Sequence, residues 1–159
     1  MQNHLTIPPQ GLGTLLRAVL AQLEPAVERA YAEAEPRMRS RYYPIIRQLI
    51  AGAAKVSDIA AAVGLSQPAI TQTVRQMVED GFLEVDLGED RRARMVSLSD
   101  HGWAAIERLR PVWRNVAGAA QSLERDIGHP LAQILEQALS ALEDRDFAMR
   151  IAGDERARQ

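Results

Sequence analysis

Cysteine is absent from the 159 residues of the chain. Disulfide bonds, cysteine-ligated zinc and the sensing of oxidants through a thiol are therefore excluded. The three histidines, His4, His101 and His129, do not have the close spacing of metal ligands. We therefore expect no metal site and no cofactor.

Long apolar runs are absent as well. The sequence has no stretch of roughly 18 apolar residues, the length that crosses a bilayer. Residues 1–4 do not begin a signal peptide, which would combine a charged start with a long apolar segment. We expect a cytoplasmic protein without membrane contacts. Phosphate-binding glycine loops, serine elbows and paired catalytic carboxylates are also missing, so the residues give no support for an enzyme.

The chain has no excess of basic residues, because 19 Lys and Arg face 21 Asp and Glu. This balance does not by itself indicate a nucleic-acid-binding protein. Basic residues cluster locally instead, at Arg91, Arg92 and Arg94. Salt screens exposed charges over about 8 Å at physiological ionic strength, so such a local cluster matters more than the total charge.

The sequence does contain a helix-turn-helix pattern over residues 56–83. Ser57 is predicted to cap a first helix, which Gly64 ends because glycine tolerates a positive φ. Ser66 is predicted to cap a second helix, with Pro68 in the first turn, where proline is tolerated.

The second helix has one apolar and one polar face. Ile70, Val74, Met77 and Val78 recur at helical spacing and are predicted to point inward. The other face carries amides, hydroxyls and a guanidinium, groups that can reach base edges and phosphates in a major groove. By bidentate geometry, Arg75 is a candidate for guanine and Gln72 for adenine. The candidate DNA-binding residues of this helix are Ser66, Gln67, Pro68, Thr71, Gln72, Arg75 and Gln76.

A β-hairpin is predicted directly after this helix. Residues 82–87 alternate as a strand does, residues 88–90 form a turn, and residues 91–98 return. A helix-turn-helix followed by such a hairpin is a winged helix. Its basic tip, with Arg91, Arg92 and Arg94, could lie along phosphates or enter a minor groove. A short strand at residues 55–56 is predicted to pair with this wing.

Six short segments of this region form a recognisable set of motifs. They are Ser57-Asp58-Ile59-Ala60, Gly64-Leu65-Ser66, Asp80-Gly81-Phe82-Leu83, Asp90-Arg91-Arg92, Val96-Ser97-Leu98-Ser99 and Gly102. Together they resemble the multiple antibiotic resistance regulator (MarR) family of bacterial transcription factors. The resemblance implies a homodimer that binds pseudo-palindromic double-stranded DNA, usually as a repressor, and in many members a small ligand that releases the DNA. It also implies that Arg92 is the DNA-contacting arginine of the wing, braced by Asp90.

Long amphipathic helices are predicted on both sides of the winged helix. Residues 11–35 form one, which Pro25 should kink or split. Ser99 or Asp100 caps another, bent at Pro111, and a last helix follows the break at residues 128–130, with the tail beyond about Ile151 fraying.

The apolar faces of these flanking helices are wider than a compact winged helix can cover. Because burial contributes about 25 cal/mol per Å² of apolar surface, two chains are expected to combine them in a dimer. The predicted fold is mainly α with a small β-hairpin wing (α+β), a winged helix-turn-helix flanked by dimerisation helices. Residues 1–36 form the N-terminal arm and dimerisation helix, 37–100 the DNA-binding domain and 101–159 the C-terminal dimerisation helices.

Three alternatives stay open at this point. Arg37, Arg39 and Arg41 form either a solvated connector or a phosphate contact. The winged helix could instead be a protein-interaction module, although that role needs neither a basic wing tip nor an amide-rich helix. A third set of residues either lines a pocket for a small aromatic or phenolic effector or fills the core, namely Tyr42, Tyr43, Trp103, Arg110 and Trp113.

Overall fold

The computed structural model describes residues 11–86 and 95–157, with side chains up to residue 153. The chain divides into two compact units, Met1–Arg114 and Asn115–Gln159. Helices dominate, together with one small sheet, so the predicted mainly α winged-helix fold is confirmed. In chain order the elements are α1 (Leu12–Ala34), a 3-10 turn (Ser40–Tyr42), α2 (Tyr43–Leu49), β1 (Ala54–Lys55), α3 (Val56–Val63), α4 (Gln67–Glu79), β2 (Leu83–Asp86), β3 (Met95–Leu98), α5 (Asp100–Ile127), α6 (Leu131–Asp144) and α7 (Phe147–Ala157).

The sheet has the strand order β1-β3-β2, with both pairs antiparallel. β2 and β3 pair as the predicted hairpin, with Leu83 opposite Leu98. β1 pairs with β3 as the predicted short strand, displaced by one residue to Ala54–Lys55. Residues 87–94, which include Asp90, Arg91, Arg92 and Arg94, lie outside the described residues.

The start of α3 corrects one predicted cap. Lys55, and not Ser57, is the N-cap, because the pairing of β1 with β3 keeps Lys55 extended and the helix begins at the next residue. Ser57 therefore lies inside the first turn, where its Oγ is 3.2 Å from Asp58 Oδ1. Gly64 ends α3 with a φ of 71°, as predicted. Ser66 caps α4 as predicted, since its Oγ accepts a hydrogen bond from Ala69 N at 3.4 Å.

The core of the first unit gathers the inward faces of α2, α3, α4 and the first turns of α5 around the sheet. The predicted inward position of Val78 is wrong, because this side chain is 37% exposed. Val78 is eight residues after Ile70, which turns it about 80° from the buried line. The largest fully buried side chains are Tyr42, Phe82, Met38, Ile45, Ile46, Leu49, Ile59, Ile70, Met77, Ile106 and Leu109.

The long helices pass through their prolines. α1 contains Pro25 and α5 contains Pro111, and each is one continuous helix, so Pro25 does not split α1. Gly128, with a φ of 71°, breaks the chain after α5 as predicted.

The C-terminal end holds a helix that the sequence did not predict. α6 ends at Asp144, and α7 begins at Phe147, where Asp146 Oδ1 accepts a hydrogen bond from Met149 N at 2.7 Å. The expected fraying tail beyond Ile151 is wrong as far as Ala157, because α7 continues to that residue.

The flanking helices expose their apolar side chains. Leu12 on α1 is 66% exposed and Leu139 on α6 is 64% exposed. Within the described part of the chain, none of the helices is long and apolar enough to cross a membrane. The exposed large apolar residues of α1 and α6 are Leu12, Leu15, Leu16, Val19, Leu20, Leu23, Ile134, Leu135, Leu139 and Leu142.

The turn of the helix-turn-helix gives a test of the fold. We expect Gly64→Ala to destabilise the protein by about 1–2 kcal/mol, because an L residue is disfavoured at a left-handed φ. The space around Gly64 is open, so no clash contributes. The measurement is the free energy of unfolding in urea.

Gly118→Ala is the matched control, because Gly118 also faces open space but lies inside α5 without a positive φ. This control should be neutral or more stable than the parent by up to about 1 kcal/mol. Equal stability of the two variants would contradict the role of the turn.

Candidate nucleic-acid interface

The polar face of α4 lies at the surface of the first unit. Ile70, Val74 and Met77 are buried, and this fixes the rotation of the helix about its axis. The opposite side forms an exposed concave surface, which we call the α4 surface, lined by Gln67, Pro68, Thr71, Gln72 and Arg75. The structure thus brings together five of the seven predicted helix residues. Of the other two, Ser66 lies exposed at the N-cap and Gln76 is half-buried.

Most polar side chains of the α4 surface are available for a ligand. Among the described residues, the side chains of Gln67, Gln72 and Arg75 make no hydrogen bond or ion pair. Thr71 is different, because its Oγ1 donates to Gln67 O at 2.7 Å and keeps only acceptor capacity. Two amides and one guanidinium are therefore exposed without a partner in the part of the chain that the structure describes.

The C-terminal end of α4 is anchored by two residues from before α2. The hydroxyl of Tyr42 donates to Asp80 Oδ2 at 2.6 Å, and Arg37 Nη1 donates to Asp80 O at 3.5 Å. The Tyr42 ring also packs edge-on against Phe82, with the ring centroids 5.8 Å apart. Burial, together with the hydrogen bond to Asp80, raises the pKa of Tyr42 to about 12.

In the basic connector before α2, the guanidinium groups of Arg39 and Arg41 contact neighbouring residues of the same segment. Arg39 Nη1 donates to Pro36 O and Met38 O at 3.1 and 2.9 Å, and the guanidinium carbon of Arg41 lies 5.5 Å from the centre of the Tyr42 ring. Met38, between them, is fully buried. These contacts are those of an exposed connector with one anchoring side chain.

A buried carboxylate joins α1 to α5. Glu35, the C-cap of α1, forms an ion pair with Arg108, and its Oε1 lies 3.8 Å from His101 Nε2. The His101 ring packs against Phe82 at a centroid distance of 5.3 Å. No motif in the sequence predicts this group, and its one local signal is an acidic residue at the end of a predicted helix.

The five predicted pocket residues do not line one site. Tyr42 is in the core, Trp103 is 44% exposed, and Arg110 Nη2 pairs with Glu107 Oε1 of the same helix at 3.0 Å. Only Tyr43 and Trp113 meet, with ring centroids 5.2 Å apart.

Tyr31 of α1 is buried in the same core, where burial raises its pKa. Tyr31 was not among the predicted pocket residues. Among the residues that the structure describes, no group of three or more potential ligands could hold a metal ion.

The fold and the α4 surface define a winged helix-turn-helix protein. Residues 38–93 match the sequence model of the MarR family. Over these residues the chain is similar to the MarR-family winged helix-turn-helix, as the resemblance of its motifs implied. No curated protein sequence matches the chain.

Solved structures of the same fold cover most of the chain. The transcriptional regulator MosR of M. tuberculosis in complex with DNA is 24% identical, over 81% of this chain and 98% of MosR, with a TM-score of 0.64. A mutant MarR from E. coli complexed with operator DNA is 16% identical, over 82% and 92%, with a TM-score of 0.64. NadR in complex with 4-hydroxyphenylacetate is 19% identical, over 86% and 97%, with a TM-score of 0.57. At these identities the likeness shows the fold.

The anchor of α4 gives a second test. Tyr42→Phe removes a hydrogen bond to a carboxylate, and we expect a loss of about 1–2 kcal/mol of stability at neutral pH. Because the pKa of Tyr42 is raised, its stabilising effect is complete below about pH 10 and is lost as the pH rises through about 12. The variant should therefore lose less stability than the parent over this range, as measured by thermal unfolding at alkaline pH.

The control is Tyr43→Phe, since the Tyr43 hydroxyl makes no hydrogen bond within the described part of the chain. It should lose stability with pH as the parent does. Parallel curves for the parent and Tyr42→Phe would contradict the assignment.

Proposed function

We propose that the chain is a homodimeric, sequence-specific DNA-binding transcription regulator that represses from a pseudo-palindromic operator. The observation that carries the proposal is the α4 surface, where Gln67, Gln72 and Arg75 are exposed and have no hydrogen-bond or ion-pair partner among residues 11–86 and 95–157. Amides and guanidinium groups can form the bidentate contacts that distinguish adenine and guanine in the major groove. Two structures of the same fold, those of MosR and MarR, are complexes with DNA, which supports this reading.

The middle of α4 and its N-terminal end are proposed to have different roles. Gln72 and Arg75 lie along the middle of the helix and are proposed to contact base edges. Gln67 and Ser66 lie at the N-terminal end, where backbone N–H groups and the helix dipole favour a phosphate. Pro68, Thr71 and Gln76 complete the proposed contact set.

The wing is proposed to add the phosphate or minor-groove contacts that the net charge of the chain does not supply. Its candidates are Arg91, Arg92 and Arg94, with Asp90 bracing the tip, and they rest on the sequence motif. Insertion of arginine into a narrow minor groove reads DNA shape without base-specific hydrogen bonds. The recognition helix would then supply most of the sequence preference and the wing most of the salt dependence.

Dimerisation is proposed to use the exposed apolar faces of α1 and α6. Each face carries leucines and other apolar side chains at helical spacing, and complete burial of one such side chain contributes about 1.5–3 kcal/mol. We propose the organisation into residues 1–36, 37–100 and 101–159 on this basis. A two-fold dimer requires half-sites about one helical turn of DNA apart.

A small aromatic or phenolic effector is proposed as the releasing signal. NadR, with the same fold, is seen in complex with 4-hydroxyphenylacetate. In this chain the rings of Tyr43 and Trp113, which contact each other, are proposed as the aromatic surface against which such a ligand would pack. A cytoplasmic location and the absence of catalysis are part of the same proposal.

The DNA-binding test compares variants of α4 and the wing. A selection from random DNA with the purified parent should return an inverted repeat. Gln72→Ala should weaken binding by about 1–3 kcal/mol and relax the preference at one base position of each half-site. Arg92→Ala should weaken all sites alike and lower the slope of log affinity against log salt by about one for each lost phosphate contact.

Gln133→Ala on α6 is the control and should bind as the parent does. If Gln72→Ala and Arg92→Ala also bind as the parent does, these residue assignments are wrong. If the parent selects no DNA but retains a stable protein partner in a pull-down, the chain is an interaction module.

The dimer test introduces a charge into the apolar face of α6. Leu139→Glu should convert the dimer to a monomer at micromolar concentration, because two buried leucines are replaced by two desolvated carboxylates at a two-fold interface. Analytical ultracentrifugation measures the mass. Gln137→Glu adds the same charge to another face of α6 and should leave the dimer intact. A monomeric parent, or a dimer that tolerates Leu139→Glu, would contradict this interface.

A further inference from the structure

The first turn of α5 is bound to the turn that follows the recognition helix α4. Ser99 Oγ donates to Gly81 O at 2.6 Å and accepts from Gly102 N at 3.0 Å. Ser99 N donates to Phe82 O at 3.0 Å. One serine thus caps α5 and at the same time holds two consecutive carbonyl groups that follow α4.

Gly102 allows this contact to be close. A Cβ built on Gly102 would meet Phe82 O at a separation that real Cβ atoms essentially never show, and would lie 3.2 Å from Phe82 C and 3.3 Å from Leu98 Cδ2. The main obstacle is backbone, which cannot rotate away as a flexible side chain can. Glycine is disfavoured inside helices relative to alanine, so helix formation does not explain it. The close approach of the α5 backbone to the α4–β2 turn explains why glycine occupies position 102.

The geometry couples the direction of α5 to that of α4. Packing at Gly102 sets the distance between the two elements, and the Ser99 hydrogen bonds set their relative rotation. Within the first unit α5 runs from Asp100 to Arg114, so at 1.5 Å per residue this part is about 21 Å long. A tilt of about 10° at its first turn would move the Arg114 end by roughly 4 Å, about the rise of one base pair.

We propose that Gly102 and Ser99 are positioning residues that set the half-site spacing the dimer accepts. They act through the angle between α5 and α4 and not through contact with DNA. The inference rests on the proposed function, because spacing has meaning only for a two-fold dimer on two half-sites. It assigns to the Ser99-to-Gly102 segment a role in specificity at DNA positions that no side chain reads.

The experiment measures spacing and affinity separately. The parent first selects its operator from random DNA, and a second library then keeps the two half-sites and varies the spacer between them. Gly102→Ala and Ser99→Ala should shift or broaden the preferred spacer by at least one base pair. On the parental operator they should bind about tenfold more weakly or worse, because simultaneous engagement of both half-sites is lost when the geometry is wrong.

Two further variants show whether the effect is local. Ser99→Thr keeps a hydroxyl and should restore the parental spacer. Gly118→Ala places the same methyl group on α5 where no atom of the described residues lies within 4 Å, and should keep the parental spacer and affinity. Circular dichroism and sedimentation establish that each variant is folded and dimeric. If Gly102→Ala does not fold, the pair Ser99→Ala and Ser99→Thr decides the matter.

The outcomes separate the inference from the function beneath it. If the parent selects no inverted repeat, the proposed function fails, and the inference with it. If the parent selects one and the variants keep its preferred spacer, the inference alone is wrong. A uniform loss of affinity at every spacer would show that the contact only stabilises the fold, and would also overturn the inference.

Discussion

The burial of one face of α4 is the constraint on which the rest of the first unit depends. Ile70, Val74 and Met77 pack into the core that α2, α3 and the start of α5 also share. The directions of side chains around a helix are fixed relative to one another. Burial of these three side chains therefore places Gln72 and Arg75 on the opposite side of α4. The apolar core therefore determines which polar groups of α4 are presented to solvent. One face of α4 thus stabilises the core, and the other face carries the polar side chains of the α4 surface.

Both ends of α4 are also fixed, by different means. At the N-terminal end, the left-handed Gly64 and the Ser66 cap set the direction in which the helix leaves the turn. At the C-terminal end, Asp80 is held by Tyr42, and the following carbonyls are held by Ser99. An element fixed at both ends and along one side has little freedom to adjust to a poorly matched ligand. Preorganisation of this kind lowers the entropic cost of binding and sharpens discrimination.

The sequence predicted those parts of the structure that depend on neighbouring residues. Gly64, Ser66 and the β2–β3 hairpin have local signals, namely a positive φ, a cap and strand alternation, and the structure confirms them. Ser57 failed as a cap because the pairing of β1 with β3, some 40 residues away, sets the start of α3. Tyr42 and Asp80 are 38 positions apart in the sequence, and Glu35 and Arg108 are 73 positions apart. No local sequence pattern predicts either contact. On the α4 surface, helical spacing and side-chain chemistry identified the five residues that the structure brings together, along with Ser66 and Gln76, which lie outside that surface.

The exposed leucines of α1 and α6 have a consequence for how activity would depend on the concentration of the chain in a cell. If two chains must associate before the apolar faces are covered, the population of the active species rises with the square of the chain concentration at low abundance. Occupancy of a DNA site would then respond to the level of the regulator more steeply than one-to-one binding allows. A twofold drop in expression, or dilution at cell division, would remove more than half of the active form. The exposed apolar faces of α1 and α6 would in this way make DNA occupancy a sensitive measure of the chain concentration.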